Sequence, residues 1–261
     1  MSNVGLTING YTYPSSDIGS EITFTPVAAD VGKVVGRSQN YNPSSITPWW
    51  KELQKYAPFT VIPVCWSGAS ISSHEKNDVE YKTSYAWHDA QIRKCGVRVA
   101  GTMTRNAPDI IIVYRGLNDF SHSPYTRLTP DYYNEVNWNY PNDDYDDSNY
   151  GFKEAIAIMI NKLRTAYPTS KIVLCTLFES HRANNTHFPV NNGVNNLEEY
   201  NNAIREAADF YGCGLIDFAK SGITFENAST YCRDNPPVHP NNDGHFILAM
   251  KAYADLNAIY Q

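Results

Sequence analysis

Runs of apolar residues interrupted by polar turns set the frame of this chain. Residues 60–65, 110–114 (Ile-Ile-Ile-Val-Tyr) and 171–177 are near-continuous apolar stretches and read as strands buried on both faces. Shorter strand signals lie at Lys33-Val34-Val35 and at 214–218. Residues 152–167 place Ala155, Ile158, Met159, Ile160 and Leu163 at helical spacing. Helices are also predicted at 48–56, 83–104, 197–211 and 246–256, the last capped by Asn242 or Asp243. Strands that alternate with helices predict an α/β fold: a three-layer α/β/α sandwich with a mostly parallel, flavodoxin-like central sheet over 31–261. Residues 1–30 are polar, with brief alternation at Glu21-Ile22-Thr23-Phe24-Thr25, and predict a short β-rich extension without its own core.

Two stretches lack any period. Residues 121–150 hold Tyr132, Tyr133, Trp138, Tyr140 and the acidic run Asp143-Asp144-Tyr145-Asp146-Asp147, and 179–195 form a second such loop. Long aperiodic segments in a folded domain are commonly functional loops. The aromatics could form one wall of a substrate site or could simply pin the loop down.

Composition narrows the function classes. In 261 residues, 42% hydrophobic and 18% charged content fits one folded domain and argues against disorder. A net charge of −6 and the lack of a basic stripe argue against a nucleic-acid partner. The five cysteines show no metal-like spacing and read as small buried hydrophobes. The histidines have no ligand spacing and the acidic run lacks the Gly and distal Glu of a calcium loop, so no metal or cofactor is expected. No apolar run reaches membrane-spanning length and no signal-like segment opens the chain, so a soluble protein is expected, with export left open.

Candidate chemistry collects where strands end. Open parallel sheets bind ligands at the carboxyl ends of their strands. Gly36-Arg37-Ser38, Ser67-Gly68-Ala69-Ser70 and Gly116-Leu117-Asn118-Asp119 each follow a predicted strand. The fourth cluster is Val238-His239-Pro240-Asn241-Asn242-Asp243-Gly244-His245. A residue before proline is pushed to extended geometry, so His239 is presented from a rigid loop, a useful place for a general base. His245 reads as a capping or packing residue in the following helix.

These four blocks, in this order, resemble the SGNH (GDSL-like) hydrolase superfamily. The resemblance implies Ser38 as nucleophile and His239 as base. It implies an oxyanion hole from the amides of Ser38 and Gly68 and the side chain of Asn118, with Arg37 and Asp119 beside the substrate. Two positions depart from the family pattern. Arg37 stands where the first block has Asp, and Pro236 stands three residues before His239, where the triad acid belongs. Asp234 is the nearest alternative acid; without it a Ser–His dyad would remain.

Ser70 is a rival nucleophile, because Gly68-Ala69-Ser70-Ile71-Ser72 also echoes the first block. Choosing it would remove the second-block glycine between it and Asn118, so Ser38 is preferred. The resemblance implies a serine esterase acting on small acyl esters, acetyl esters above all, with a small acyl ester or an acylated carbohydrate as the expected partner. The alternative is a catalytically impaired relative that binds glycan or protein. A nucleotide-binding flavodoxin-like protein is disfavoured, since no Gly-rich phosphate loop follows the first strand.

Overall fold

A computed structural model describes residues 6–8, 11–13, 30–32, 45–57, 60–63, 69–72, 86–98, 105–121, 150–181 and 196–260. The core of the fold is a five-stranded sheet made of β3 (Asp30–Gly32), β4 (Thr60–Ile62), β7 (Ile110–Val113), β8 (Lys171–Cys175) and β9 (Gly214–Ile216). Its strand order is β4-β3-β7-β8-β9, and every neighbouring pair is parallel. The chain builds outward from β3 to β4 and then returns to add β7 on the other side. The strand order therefore reverses between β3 and β7, and the gap there is the topological switch point.

Period-two alternation divides the apolar strands between two cores. Ile111, Val113, Ile172 and Leu174 face a core shared with α2 (Asp89–Lys94), α4 (Phe152–Ala166) and α5 (Leu197–Tyr211). Ile110, Ile112, Val173, Cys175 and Ile216 face the other, filled by Trp49 and Leu53 of α1 (Trp49–Leu53) and by Leu248, Ala249 and Leu256 of α7 (Asn242–Tyr260). This gives the expected three layers. Each buried aliphatic side chain contributes about 1.5–3 kcal/mol, so both helical layers are held by their apolar faces. α4 is buried nearly all round. Its Lys162 pairs with Asp89 at the start of α2, with the ammonium 5.5 Å from the Trp87 ring centroid.

Several boundaries depart from the sequence reading. Among the described residues, the helix expected over 83–104 is represented by α2, capped by His88, whose Nδ1 accepts from Ala90 N at 3.1 Å. Beyond Gly96 the chain instead forms an antiparallel pair, β5 (Val97–Arg98) with β6 (Arg105–Asn106). Branched Val97 favours extended backbone over helix. α7 begins at Asn242, four residues earlier than expected, and its cap is Asn241, whose Oδ1 accepts from Gly244 N at 3.0 Å. The first sheet strand lies at Asp30–Gly32; residues 33–35, where it was expected, lie outside the described residues. Within 1–30, β1 (Leu6–Ile8) and β2 (Tyr11–Tyr13) pair antiparallel. Among the described residues no helix is long and apolar enough to cross a membrane.

Candidate active site

His239 sits in a two-stranded antiparallel ribbon that periodicity did not reveal. α3 (Leu117–Ser121) follows β7, and the short helix α6 (Ala228–Tyr231) leads into β10 (Cys232–Arg233), which pairs with β11 (His239–Pro240). The preference of a pre-proline residue for extended backbone suits His239 to this strand. Asp234 leaves β10 with φ +79°, a left-handed conformation that Asp tolerates better than most residues. That turn folds its carboxylate back onto His239: Oδ2 accepts from the backbone N of His239 at 3.3 Å and from ring Nδ1. A carboxylate can only accept, so Nδ1 carries the proton and Nε2 is left to take another.

The ribbon is tied to the carboxyl end of the sheet. His181, in the loop leaving β8, donates its backbone N–H to Pro237 O at 2.9 Å. Pro236, which occupies the family's acid position, bears no carboxylate, and Asp234 supplies one from two residues further back.

Residues 115–119, following β7, grip the loop that carries Ala69 to Ser72. Gly116 adopts φ +125°, and a Cβ there would lie 3.2 Å from Phe152 Cζ, so both the turn and the packing call for glycine. Asn118 is half-buried and donates through Nδ2 to Ala69 O at 2.8 Å. Arg115 reaches Ser70 O at 3.5 Å. Asp119, expected beside the substrate, is 0% exposed and is turned toward Ile71 and Ser72. Its Oδ2 accepts from Ile71 N at 2.8 Å, and its Oδ1 accepts from Ser72 N at 2.7 Å and from Ser72 Oγ at 2.5 Å. Burial pushes its pKa up to about 6, against the pull of these bonds.

The same loop carries Ser70, the other serine weighed as nucleophile. It is fully buried, and its hydroxyl donates to Ser72 O at 2.7 Å.

A third set of contacts joins two ends of the chain. Thr47 N donates to Asn242 Oδ1 at 2.9 Å, Asn242 Nδ2 donates to Ser45 O at 3.1 Å, and Trp49 N donates to His245 Nδ1 at 3.2 Å. His245 is buried, as a packing residue should be. Desolvation, reinforced by Arg233 and His239, lowers its pKa to about 4, so it stays neutral and keeps its acceptor nitrogen. Close packing seats the first turn of α7 against α6: a Cβ on Gly244 would come within 2.2 Å of Tyr231 O.

Arg37, Ser38 and Gly68 lie outside the described residues, as do residues 122–149 with their aromatics and acidic run. Of the expected site residues, the structure therefore joins Asp234 to His239 and places Asn118 at the end of β7. Among the described residues no group of three or more His, Cys, Asp or Glu could hold a metal ion. The contribution of Ser72 went unread in sequence, because its contacts with Asp119 are created only by the tertiary structure, whereas the cap supplied by Asn241 is local and was assigned to Asn242 or Asp243 instead.

Solved structures share this architecture. A protein of Lactobacillus plantarum aligns with a TM-score of 0.59 at 20% identity, over 88% of this chain and 95% of its own. A candidate GDSL-like lipase of Bacteroides ovatus aligns with a TM-score of 0.52 at 16% identity, over 81% of this chain and 78% of its own. A salicylyl-acyltransferase of a tetracycline biosynthetic pathway, SsfX3, aligns with a TM-score of 0.58 at 13% identity, over 90% of this chain and 56% of its own. At these identities the likeness is one of fold. A sequence search of curated proteins gave no match. The sequence profile of the GDSL-like lipase/acylhydrolase family matches residues 45–247, a span that begins beyond Ser38 and takes in Asn118, Asp119, Asp234 and His239. Strand order, the grip of residues 115–119 on the preceding loop, and this match over most of the sequence agree: the chain belongs to the GDSL-like lipase/acylhydrolase family.

Proposed function

We propose that the protein is a serine esterase that hydrolyses small acyl esters through Ser38 and His239, with Asp234 as the acid of a complete triad. The observation that carries this reading is the bond between Asp234 and His239 Nδ1 in a ribbon tied to the carboxyl end of the sheet. It favours an enzyme over a binding-only relative, because a histidine oriented by a carboxylate has its outer nitrogen set for proton transfer.

In this mechanism Nε2 of His239 takes the Ser38 hydroxyl proton as Oγ bonds to the ester carbonyl carbon. The negative charge that develops on the carbonyl oxygen is held by the amides of Ser38 and Gly68 and by the Asn118 side chain, each such donor being worth about 3–4 kcal/mol. The bond to the alcohol oxygen then breaks and His239 returns the proton to that oxygen. Water, deprotonated by the same histidine, releases the acid and restores Ser38. Arg37, next to the nucleophile in sequence, is proposed to lie beside the substrate.

The proposed alcohol is a carbohydrate carrying acetyl groups. Support comes from the sequence, with its nineteen Tyr, five Trp and aromatic-rich 121–150 segment. Hydrolysis of p-nitrophenyl acetate by Ser38→Ala and Ser70→Ala variants tests the reading. Activity is expected to vanish in the first and to persist in the second if that variant folds; full activity in Ser38→Ala would overturn the assignment. Release of acetate from acetylated xylan, compared with its release from a simple alkyl acetate, tests the carbohydrate part.

A further inference from the structure

The reaction proposed above needs two segments, one around Ser38 and one around His239, to be held at a fixed separation. Asn242 stands at the start of α7, three residues after His239, and is exposed. Both polar atoms of its side chain are nevertheless committed to one distant stretch of chain. Its oxygen accepts from Thr47 N at 2.9 Å and its nitrogen donates to Ser45 O at 3.1 Å, across 195 and 197 residues of sequence. Among neutral side chains, an amide is suited to do both at once. Beside it, His245 takes the N–H of Trp49, so this face of α7 receives the chain from Ser45 to Trp49 at three points.

Ser45 is the seventh residue after Ser38, and Gly32, the last residue of β3, is the sixth before it. Gly32 is held in the sheet, and Ser45 and Thr47 are held by Asn242 beside the core packing of Trp49 and Leu53 on α7.

We infer that Asn242 is a positioning residue for ester hydrolysis, fixing the chain at Ser45 and Thr47, shortly after Ser38 in sequence, against the helix that follows the proposed base. The inference rests on the reading of Ser38 and His239 given above. Asn242 does not touch the reacting atoms; it acts through the distance between the groups that do. A misplacement of about 1 Å can cost about 100-fold in rate, so an exposed side chain with little weight in global stability can carry a large share of turnover.

The test compares wild type with Asn242→Ala, Asn242→Asp and, as a neighbouring exposed control, Asp243→Ala. Three quantities are measured: kcat and KM on p-nitrophenyl acetate, the rate of Ser38 labelling by a fluorophosphonate, and the melting temperature. Asn242→Ala is expected to lower kcat and the labelling rate together by about 10-fold or more, with KM within about twofold of wild type and melting little changed. Asn242→Asp, which keeps the acceptor for Thr47 but loses the donor to Ser45, should recover part of the loss, and Asp243→Ala should match wild type.

Wild-type kcat and labelling in Asn242→Ala would overturn the inference, and so would a loss shared equally by Asp243→Ala. If Asn242→Ala does not fold, Asn242→Asp carries the same comparison: a reduced labelling rate with unchanged melting supports the inference, and a wild-type rate overturns it. A wild-type protein that neither hydrolyses ester nor takes the label would sink the esterase reading itself, and with it this inference.

Discussion

In the proposed site, the side that carries the base and the side that carries the oxyanion donor Asn118 are built in opposite ways. On the base side, Asp234 and His239 are partly open to solvent, with side chains 38% and 32% exposed, on a ribbon of two residues per strand. On the other side Asp119 has no exposure and its two oxygens hold three donors. Both regions use a carboxylate, but for different work. A group that changes charge during turnover has to stay near substrate and water, whereas one that only fixes a loop works best buried, where its hydrogen bonds face no competition from water. The carboxylate that looks most like family chemistry in the sequence, Asp119, holds a buried loop, and the one displaced from the family's position, Asp234, is in contact with the proposed base.

Breaking the exposed side should cost activity far more than stability. His239→Ala is expected to lower kcat for ester hydrolysis by about 10⁴-fold or more with cooperative unfolding retained; a loss below about 10-fold would remove His239 as the base. Asp234→Asn preserves size and tolerance of the left-handed turn but removes the charge, and kcat should drop by about 10²- to 10⁴-fold. Unchanged turnover in that variant would reduce the site to a Ser–His dyad.

Breaking the buried side should do the reverse at first. Asp119→Ala leaves Ile71 N, Ser72 N and Ser72 Oγ without their acceptor and should cost roughly 2–4 kcal/mol in urea unfolding. A variant as stable as wild type would mean that the loop is held by other contacts.

The smallest effect is a pH dependence of opposite sign on the two sides. His245 has a pKa lowered from 6.5 to about 4, so it contributes stability above pH 6.5 that is lost as pH falls toward 4. Asp119 has a pKa raised from 3.8 to about 6, so its contribution is present below pH 3.8 and is lost as pH rises through 6. His245→Asn keeps an acceptor for Trp49 N and removes the titration. Its stability relative to wild type should rise by about 2 kcal/mol between pH 7 and pH 4.5 in urea unfolding. An offset independent of pH would contradict the shift assigned to His245.

The strands β7 and β8 and the helices α4 and α5 were legible because their apolar residues are dense and periodic enough to be decided locally. Gly116 and Asn118 were legible because the glycine turn and the strand before it sit together in sequence. The ribbon that carries His239 was not, since two-residue strands leave no periodic trace. Nor was the start of α7: its first turn, Asn242-Asp243-Gly244-His245, is polar and resembles a loop until Asn241 is seen to cap it. The burial of Asp119 was hidden for a related reason. A carboxylate at a strand exit looks exposed in sequence, and only the partners Ile71 and Ser72, nearly fifty residues earlier, turn it inward.

The central claim is that Ser38 is the nucleophile served by the Asp234–His239 pair. Its most direct test is reaction with a fluorophosphonate, followed by intact mass and peptide mapping. The account predicts one adduct per chain, on Ser38, absent in Ser38→Ala and strongly slowed in His239→Ala. An adduct on Ser70, or labelling that survives in Ser38→Ala, would contradict it.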